Sequence, residues 1–296
     1  MSAGVELAAG GAVGGASRRS RPGFLRIFRR SRLGMTGAVL FACVLFLALA
    51  APVIAPQSPM ALDPAVRLQP PGPAHWLGTD DLGRDVFSRV VYGSRVSLDV
   101  GALVMICTAL VGVLGGVAAG LFRAVDNVIM RLVDVFLAIP SLLLAIALLA
   151  ALGPRLSNIV VALTAAYVPR MVRIVRSQVI LTREMVFVEA ARSLGASPER
   201  VAWLHVLPNS LAAVIVQATF TFADAVLTEA GLSYLGVGEP PGVPSWGNML
   251  ADGRDYMTNA PWIMLFAGLA ILVCVLGLNL LGDGLRDVSD PRARQI

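Results

Sequence analysis

Lysine is missing altogether, since every one of the 24 basic residues among the 296 is an arginine. Charge of either sign is scarce: 15% of residues carry it, against about one-quarter in ordinary soluble domains. Cysteine is limited to Cys43, Cys107 and Cys274, each inside an apolar run and far from the others. That spacing fits neither a zinc site nor a disulfide framework. His75 and His205 are the only histidines, and neither has a cysteine or paired carboxylate at ligand spacing, so no metal site is expected. The phosphate-cradling GxxxxGK[ST] loop does not occur, and no nucleophile–base pair stands out. No catalytic residue is therefore assigned, no cofactor is expected in the chain, and it is not expected to be an enzyme. A net charge of +5 would suggest nucleic acid if the arginines clustered on a soluble face. They flank hydrophobic runs instead, so no nucleic-acid partner is expected.

What is present is apolar: 56% of residues are hydrophobic and the mean hydropathy is +0.75. A single soluble core does not use that excess, whereas a bilayer does. The sequence predicts an all-α, multi-pass membrane protein with spans near 35–56, 98–122, 132–152, 157–179, 208–228 and 261–282. Ala48-Leu49-Ala50 resembles a signal cleavage site, but the run preceding Pro56 is long enough to cross a bilayer and is read as a retained helix. Arginines fall eighteen on one side and six on the other, which puts both termini in the cytoplasm of a cell or inner membrane. The domain reading is a cytoplasmic Arg-rich tail over 1–34, disordered in part, then a first span and external amphipathic segment over 35–97. A transmembrane core over 98–288 follows, carrying a cytoplasmic loop at 183–208, and a cytoplasmic tail over 289–296 ends the chain.

Two spans are not cleanly apolar. The fourth carries Arg170, Arg173 and Arg176 on about one face, read as a positive-inside anchor or as contacts to partner subunits or lipid headgroups. The fifth contains Gln217, Thr221 and Asp224 on a common face. These line a translocation path or hydrogen-bond across a helix interface, and such helices belong inside the bundle. Pro140 and Pro169 are each expected to kink or open a helix. Outside, Leu82, Val86, Val90 and Val91 form a stripe, with Asp85 and Arg89 as an i,i+4 pair and Thr79 or Asp80 as cap. That pattern predicts a helix lying on the outer interface. Asp80, Asp81, Arg84 and Asp85 are candidates for docking an external protein, or are caps and salt bridges of a solvated helix. Residues 233–260, rich in Gly and Pro, read as a structured loop with Trp246 and Trp262 as interfacial anchors.

The segment Glu189-Ala190-Ala191-Arg192-Ser193-Leu194-Gly195-Ala196-Ser197-Pro198-Glu199-Arg200, running on to Pro208, carries the most information. Good helix formers precede Gly195, which suits a left-handed helix end. Ser197 is an N-cap, Pro198 fits the first helical position, and Glu199 favours the positive end of the dipole. A second short helix is expected to end before Pro208. The pattern predicts a helix–Gly–helix elbow in the cytosol.

The spacing of Glu189-Ala190-Ala191, Gly195 and Pro208 resembles the signature loop of permease subunits of ATP-binding-cassette importers. The resemblance extends through His75–Asp85, Met130–Asp134, Glu229–Gly236, Pro244–Leu250 and Gly282–Asp287. It is to the "C" type permease of dipeptide and oligopeptide importers, a subfamily that includes nickel importers. His205 stands where the general family pattern prefers an aliphatic residue. The resemblance implies the type I importer permease fold with six spans. Coupling to the ATPase would fall to Glu189, Ala190, Ala191, Gly195, Ser197, Glu199, Arg200 and Pro208. It also implies a second homologous permease subunit, two nucleotide-binding subunits that hold ATP and Mg, and an external substrate-binding protein. A nickel-chelate permease, or an ion-coupled secondary transporter using Asp224, is the alternative.

Overall fold

Ser31 starts the first membrane helix by accepting a hydrogen bond from the Gly34 amide at 3.2 Å, which satisfies one of the orphan donors of a helix start. The helix, α1 (Arg32–Ile54), holds 23 residues, roughly 34 Å and enough to cross. The protein is described from a computed structural model, covering residue 28 and residues 31–240 and 242–289. The readings of residues 1–27 and 290–296 as tails lie outside the described residues.

The second helix, α2 (Val86–Leu121), is one rod of 36 residues whose N-cap Asp85 accepts from the Ser88 amide. This corrects the expectation of a separate interfacial helix. The stripe from Val86 to Val91 is the outer end of the second span, and its polar residues are buried in protein: Arg89 and Ser88 are fully buried. Nor does Asp85 pair with Arg89. Each turns to a different partner, because the loop before the helix folds back over its start.

After α3 (Arg123–Leu137) the chain turns at Ala138–Pro140 into α4 (Ser141–Leu152), bent by 92°. Pro140 thus breaks the span, as its missing amide and ring demand. Pro169, in contrast, sits within the unbroken α5 (Leu156–Arg183). On the cytoplasmic side come α6 (Val186–Ser193) and α7 (Pro198–Val201), then a π-type turn at Ala202–Val206 and α8 (Leu207–Tyr234). Outside again lies α9 (Trp246–Gly253), followed by α10 (Trp262–Ser289). Five helical runs are long and apolar enough to cross a membrane, and α3 with α4 makes a sixth. Among the described residues the only β pairing is an isolated bridge between Thr79 and Asp85.

Small residues set which helices meet. A Cβ at Gly112, Gly116 or Gly120 of α2 would strike Met171, Val175 or Val179 of α5 respectively. Both sets repeat every four residues, so the two helices lie along each other with glycine on one side and fully buried aliphatic residues on the other. A second close seam joins α1 to α10, with Gly34 against Gly284 and Gly37 against the backbone of 277–281. Without a hydrophobic drive in lipid, such close approach is the main source of helix–helix attraction. Gly116→Leu is expected to destabilise the detergent-solubilised protein by about 1–3 kcal/mol, read as a lowered melting temperature. Gly268→Leu should leave it unchanged, because a Cβ at Gly268 meets nothing within 4 Å.

Candidate functional site

The cytoplasmic elbow forms from its local sequence alone. At the end of α6, the Ala196 amide bonds the Ala191 carbonyl at 3.0 Å and the Gly195 amide bonds the Arg192 carbonyl at 2.9 Å. These are the paired 6→1 and 5→2 bonds of a Schellman end, and they hold Gly195 at φ +85°. Ser197 then caps α7, its hydroxyl accepting from the Arg200 amide at 3.3 Å. Val188, Val201 and Val206 are fully buried and lock the two arms together. Leu194 at the tip is 89% exposed and Val186 81% exposed. Glu189, Ala190, Glu199 and Arg200 are also exposed, Ala191 less so.

One expectation is corrected here. The helix beginning at Pro198 does not end before Pro208 but runs on to Tyr234. The π-type turn absorbs the proline: the Leu207 amide reaches back five residues to the Ala202 carbonyl, a wider turn than an α-helix provides. The side chains of Asn209 and Ser210 bond the His205 and Val206 carbonyls at 2.6 and 3.0 Å. The elbow is therefore joined to a membrane span by a continuous rod.

Higher on that rod lies a polar cleft of about 640 Å³, bounded by α5, α8 and the α3–α4 break at Phe136–Ser141. Arg170 of α5 and Asp224 of α8 form an ion pair at 3.6 Å within it, with side chains 61% and 44% exposed. Beside them the Tyr167 hydroxyl lies 2.7 Å from the Thr228 hydroxyl and donates to the Asp224 carbonyl at 3.2 Å. Arg173 also lines the cleft and donates to Asp134 at 2.6 Å. At 1.5 Å rise per residue, Arg170 and Asp224 stand roughly 15–20 Å below the outer ends of their helices, near mid-membrane. Of the three residues read as sharing one polar face, only Asp224 opens on this cleft. Gln217 and Thr221 are buried and bond each other at 3.4 Å.

Three of the four arginines of α5 each face a carboxylate: Arg170 faces Asp224, Arg173 faces Asp134, and Arg176 holds Asp126 through two bonds. The sequence reading missed these pairs. The available signal was Asp126 and Asp134, eight residues apart on α3 and so on one face, opposite arginines spaced by three.

On the outside, Asp80 is a hub. Its carboxylate accepts from the Leu82 and Arg84 amides at 2.9 Å each, from Arg84 Nε at 2.6 Å and from Arg89 at 2.6 Å. Asp252 of α9 completes the cluster, accepting from both arginines at 3.0 Å. Asp85 in turn accepts from Ser88 and meets His75 Nδ1 at 3.0 Å. Asp80, Arg84 and Asp85 are buried, so of the four candidates for docking only Asp81 keeps part of its surface. The tryptophans read as interfacial anchors are structural ties instead. Trp246 is buried and donates to the Val90 carbonyl at 2.9 Å, and Trp262 donates to the Thr79 carbonyl at 3.0 Å. Beneath this cap Glu229 is fully buried and accepts from Ser97 and Ser233 at 3.1 and 2.9 Å, which fastens α8 to α2.

Two external carboxyl groups sit uneasily. Burial, reinforced by neighbouring Asp80, pushes Asp81 above the usual range, and burial pushes Glu239 up as well. A carboxyl raised on folding holds its proton more tightly in the folded chain, so its stability contribution is present at low pH and lost as pH rises through the folded value. Asp81→Asn with Glu239→Gln is expected to flatten the fall in thermal stability as pH rises above the ordinary carboxylate range of about 4, followed by melting across a pH series. Asp80→Ala, which leaves two buried arginines short of their main partner, should cost about 3–5 kcal/mol, seen as loss of the folded cap to external protease.

Among the described residues, no three His, Cys, Asp or Glu side chains are grouped to share a metal ion. Sequence comparison matches residues 112–295 to a family described as binding-protein-dependent transport system inner membrane component. Residues 23–71 match the N-terminal TM domain of oligopeptide transport permease C. A dipeptide transport system permease protein of Escherichia coli is 44% identical over 279 residues, covering 92% of this chain and 93% of that protein. A dipeptide transport system permease protein of Alkalihalophilus pseudofirmus is 43% identical, covering 90% of this chain and 88% of that protein. A di/tripeptide transport system permease protein of Pseudomonas aeruginosa is 41% identical, covering 92% of each.

Proposed function

This chain belongs to the family of binding-protein-dependent transport system inner membrane components, the multi-pass permease subunits of ATP-binding-cassette importers, and we propose that it conducts dipeptides or oligopeptides into the cell. The peptide names carried by relatives above 40% identity support that cargo. An ion-coupled mechanism at Asp224 finds no support, since that carboxylate already has Arg170 as its counter-charge.

In the proposed assembly ATP and Mg sit on two separate nucleotide-binding subunits, a second permease faces this one, and an external binding protein delivers the peptide. The observation that carries the coupling role is the elbow. It leaves Leu194 exposed at the turn that leads through α7 into α8, with Val186 exposed at the start of α6. Apolar tips left in water call for a covering partner, and a nucleotide-binding subunit that grips Leu194 and Val186 would load α8 end-on. Glu189 and Arg200 supply charge beside that contact, and Ala190 keeps the approach close. Docking of the binding protein falls, in this proposal, to Asp81 and the shape held by the Asp80 hub. Peptide passes Asp224, while Gln217 and Thr221 brace α8 from inside.

Gly195→Asp in the complete importer is expected to abolish ATP-driven peptide uptake while the subunit still inserts and assembles. Asp, like Asn, tolerates the left-handed backbone, so the loss follows from the new carboxylate at the docking tip. Gly195→Asn, which tolerates that backbone, should retain most uptake. The isolated chain should hydrolyse no ATP. Unchanged uptake in Gly195→Asp would remove the coupling role from this elbow.

A further inference from the structure

The cleft between α5 and α8 has more chemistry than a passage needs. Ionised groups at mid-membrane depth are costly against lipid, yet Arg170 and Asp224 keep 61% and 44% of their side chains exposed there. They border a cleft of about 640 Å³, with the Tyr167 and Thr228 hydroxyls at its wall. Their separation of 3.6 Å is an ion pair but longer than a hydrogen bond, so it can be opened from the cleft side. Arg173, also half exposed at the cleft, bonds Asp134 at 2.6 Å, so Arg170 is the more loosely paired of the two cations.

We propose that the Arg170–Asp224 pair receives the two ends of a zwitterionic dipeptide, short enough for neighbouring charges to reach both, Arg170 taking the terminal carboxylate and Asp224 the terminal ammonium. This rests on the reading of the chain as a peptide permease. The physics is an exchange of one ion pair for two. Before entry the two protein charges neutralise each other, and after entry each is neutralised by one end of the peptide. No bare charge is stranded in the low-dielectric middle of the membrane at either stage. A peptide blocked at one end breaks that balance, because it opens the pair and leaves one protein charge alone. The amide group between the ends carries no net charge, and the Tyr167 and Thr228 hydroxyls can serve it as donors or acceptors. Selection by end charges is indifferent to side chains, as a path shared by many peptides requires.

The test uses the complete importer in proteoliposomes with ATP on the nucleotide-binding side and dialanine, its N-acetyl form and its C-terminal amide as cargo. Uptake is expressed per peptide-loaded binding protein, so that selection at the binding protein is divided out. For the native importer, blocking either end should slow uptake about tenfold or more, the effect of one unpaired, partly solvated charge. In Asp224→Asn the penalty for acetylation should vanish while that for amidation stays, and Arg170→Gln should show the mirror image. The double variant Arg170→Gln/Asp224→Asn has no lone charge to disturb assembly, and both penalties should vanish together. Binding-protein-stimulated ATP hydrolysis verifies that each variant has assembled. Equal penalties in the native and double-variant importers, or no penalty in the native one, would overturn the proposal. Failure of the native importer to move any peptide while moving a nickel chelate would overturn the substrate reading and this inference with it.

Discussion

Among the described residues, most charges taken out of water are paired with an opposite charge, and that constraint shapes both membrane faces and the middle. A lone charge in a low-dielectric setting costs several kcal/mol, whereas a paired one costs far less. Outside, the constraint produces the Asp80 hub, where two buried arginines are shared between Asp80 and Asp252. Because Asp80 precedes α2 and Asp252 lies in α9, just before α10, satisfying the charges also ties the loop after the first span to the start of the last. On the cytoplasmic half, the same constraint pins α3 to α5 through Asp134–Arg173 and Asp126–Arg176. Between the two lies Arg170–Asp224. The Asp80 hub is closed off, whereas Arg170–Asp224 and Arg173–Asp134 both stay about half exposed.

A push is transmitted only through parts that do not bend. The helical run from Pro198 to Tyr234 spans 37 residues, roughly 55 Å at 1.5 Å per residue. One end carries the exposed elbow, the middle carries Asp224, and the outer end carries Glu229, fixed to Ser97 of α2. A hinge at Pro208 would have decoupled the elbow from everything above it. The π-type turn removes that hinge by giving the proline the wider turn its ring requires. The proposed coupling turn leads directly into the helical run that carries the proposed peptide contact, so a displacement at Pro198 is passed to Asp224 along one run.

How much of this was legible in the sequence follows the range of the interactions. The elbow was readable almost atom by atom, because Gly195, Ser197 and Pro198 act within one or two turns and the caps they imply are the caps that form. The spans, and the break at Pro140, were readable for the same reason. The interfacial helix was misread because Asp85 and Arg89 satisfy an i,i+4 rule that holds on a solvated face. Here the face is buried, and the arginine is drawn to Asp80 and Asp252 instead. Trp246 was misplaced likewise: composition suggests a membrane boundary, but its indole is spent on the Val90 carbonyl. The pairs between α3, α5 and α8 depend on the register between helices far apart in the chain. That register is set by glycine spacing on α2 against valines on α5, a match of two patterns that neither pattern announces alone.

The cleft, finally, bears on what completes the molecule. A closed passage needs walls on all sides, and α5, α8 and the α3–α4 break supply only part of one. If lipid lay against the rest, Arg170 and Asp224 would face hydrocarbon with about half of their side-chain surface exposed, a cost of a few kcal/mol for each ionised residue. A pair set against lipid would be expected to be buried as Asp80 and Arg89 are. That Arg170 and Asp224 are not is understandable if this face meets water and a second subunit rather than acyl chains. Such a partner needs only to bring a complementary wall of its own, so the cleft suits an assembly better than a chain acting alone.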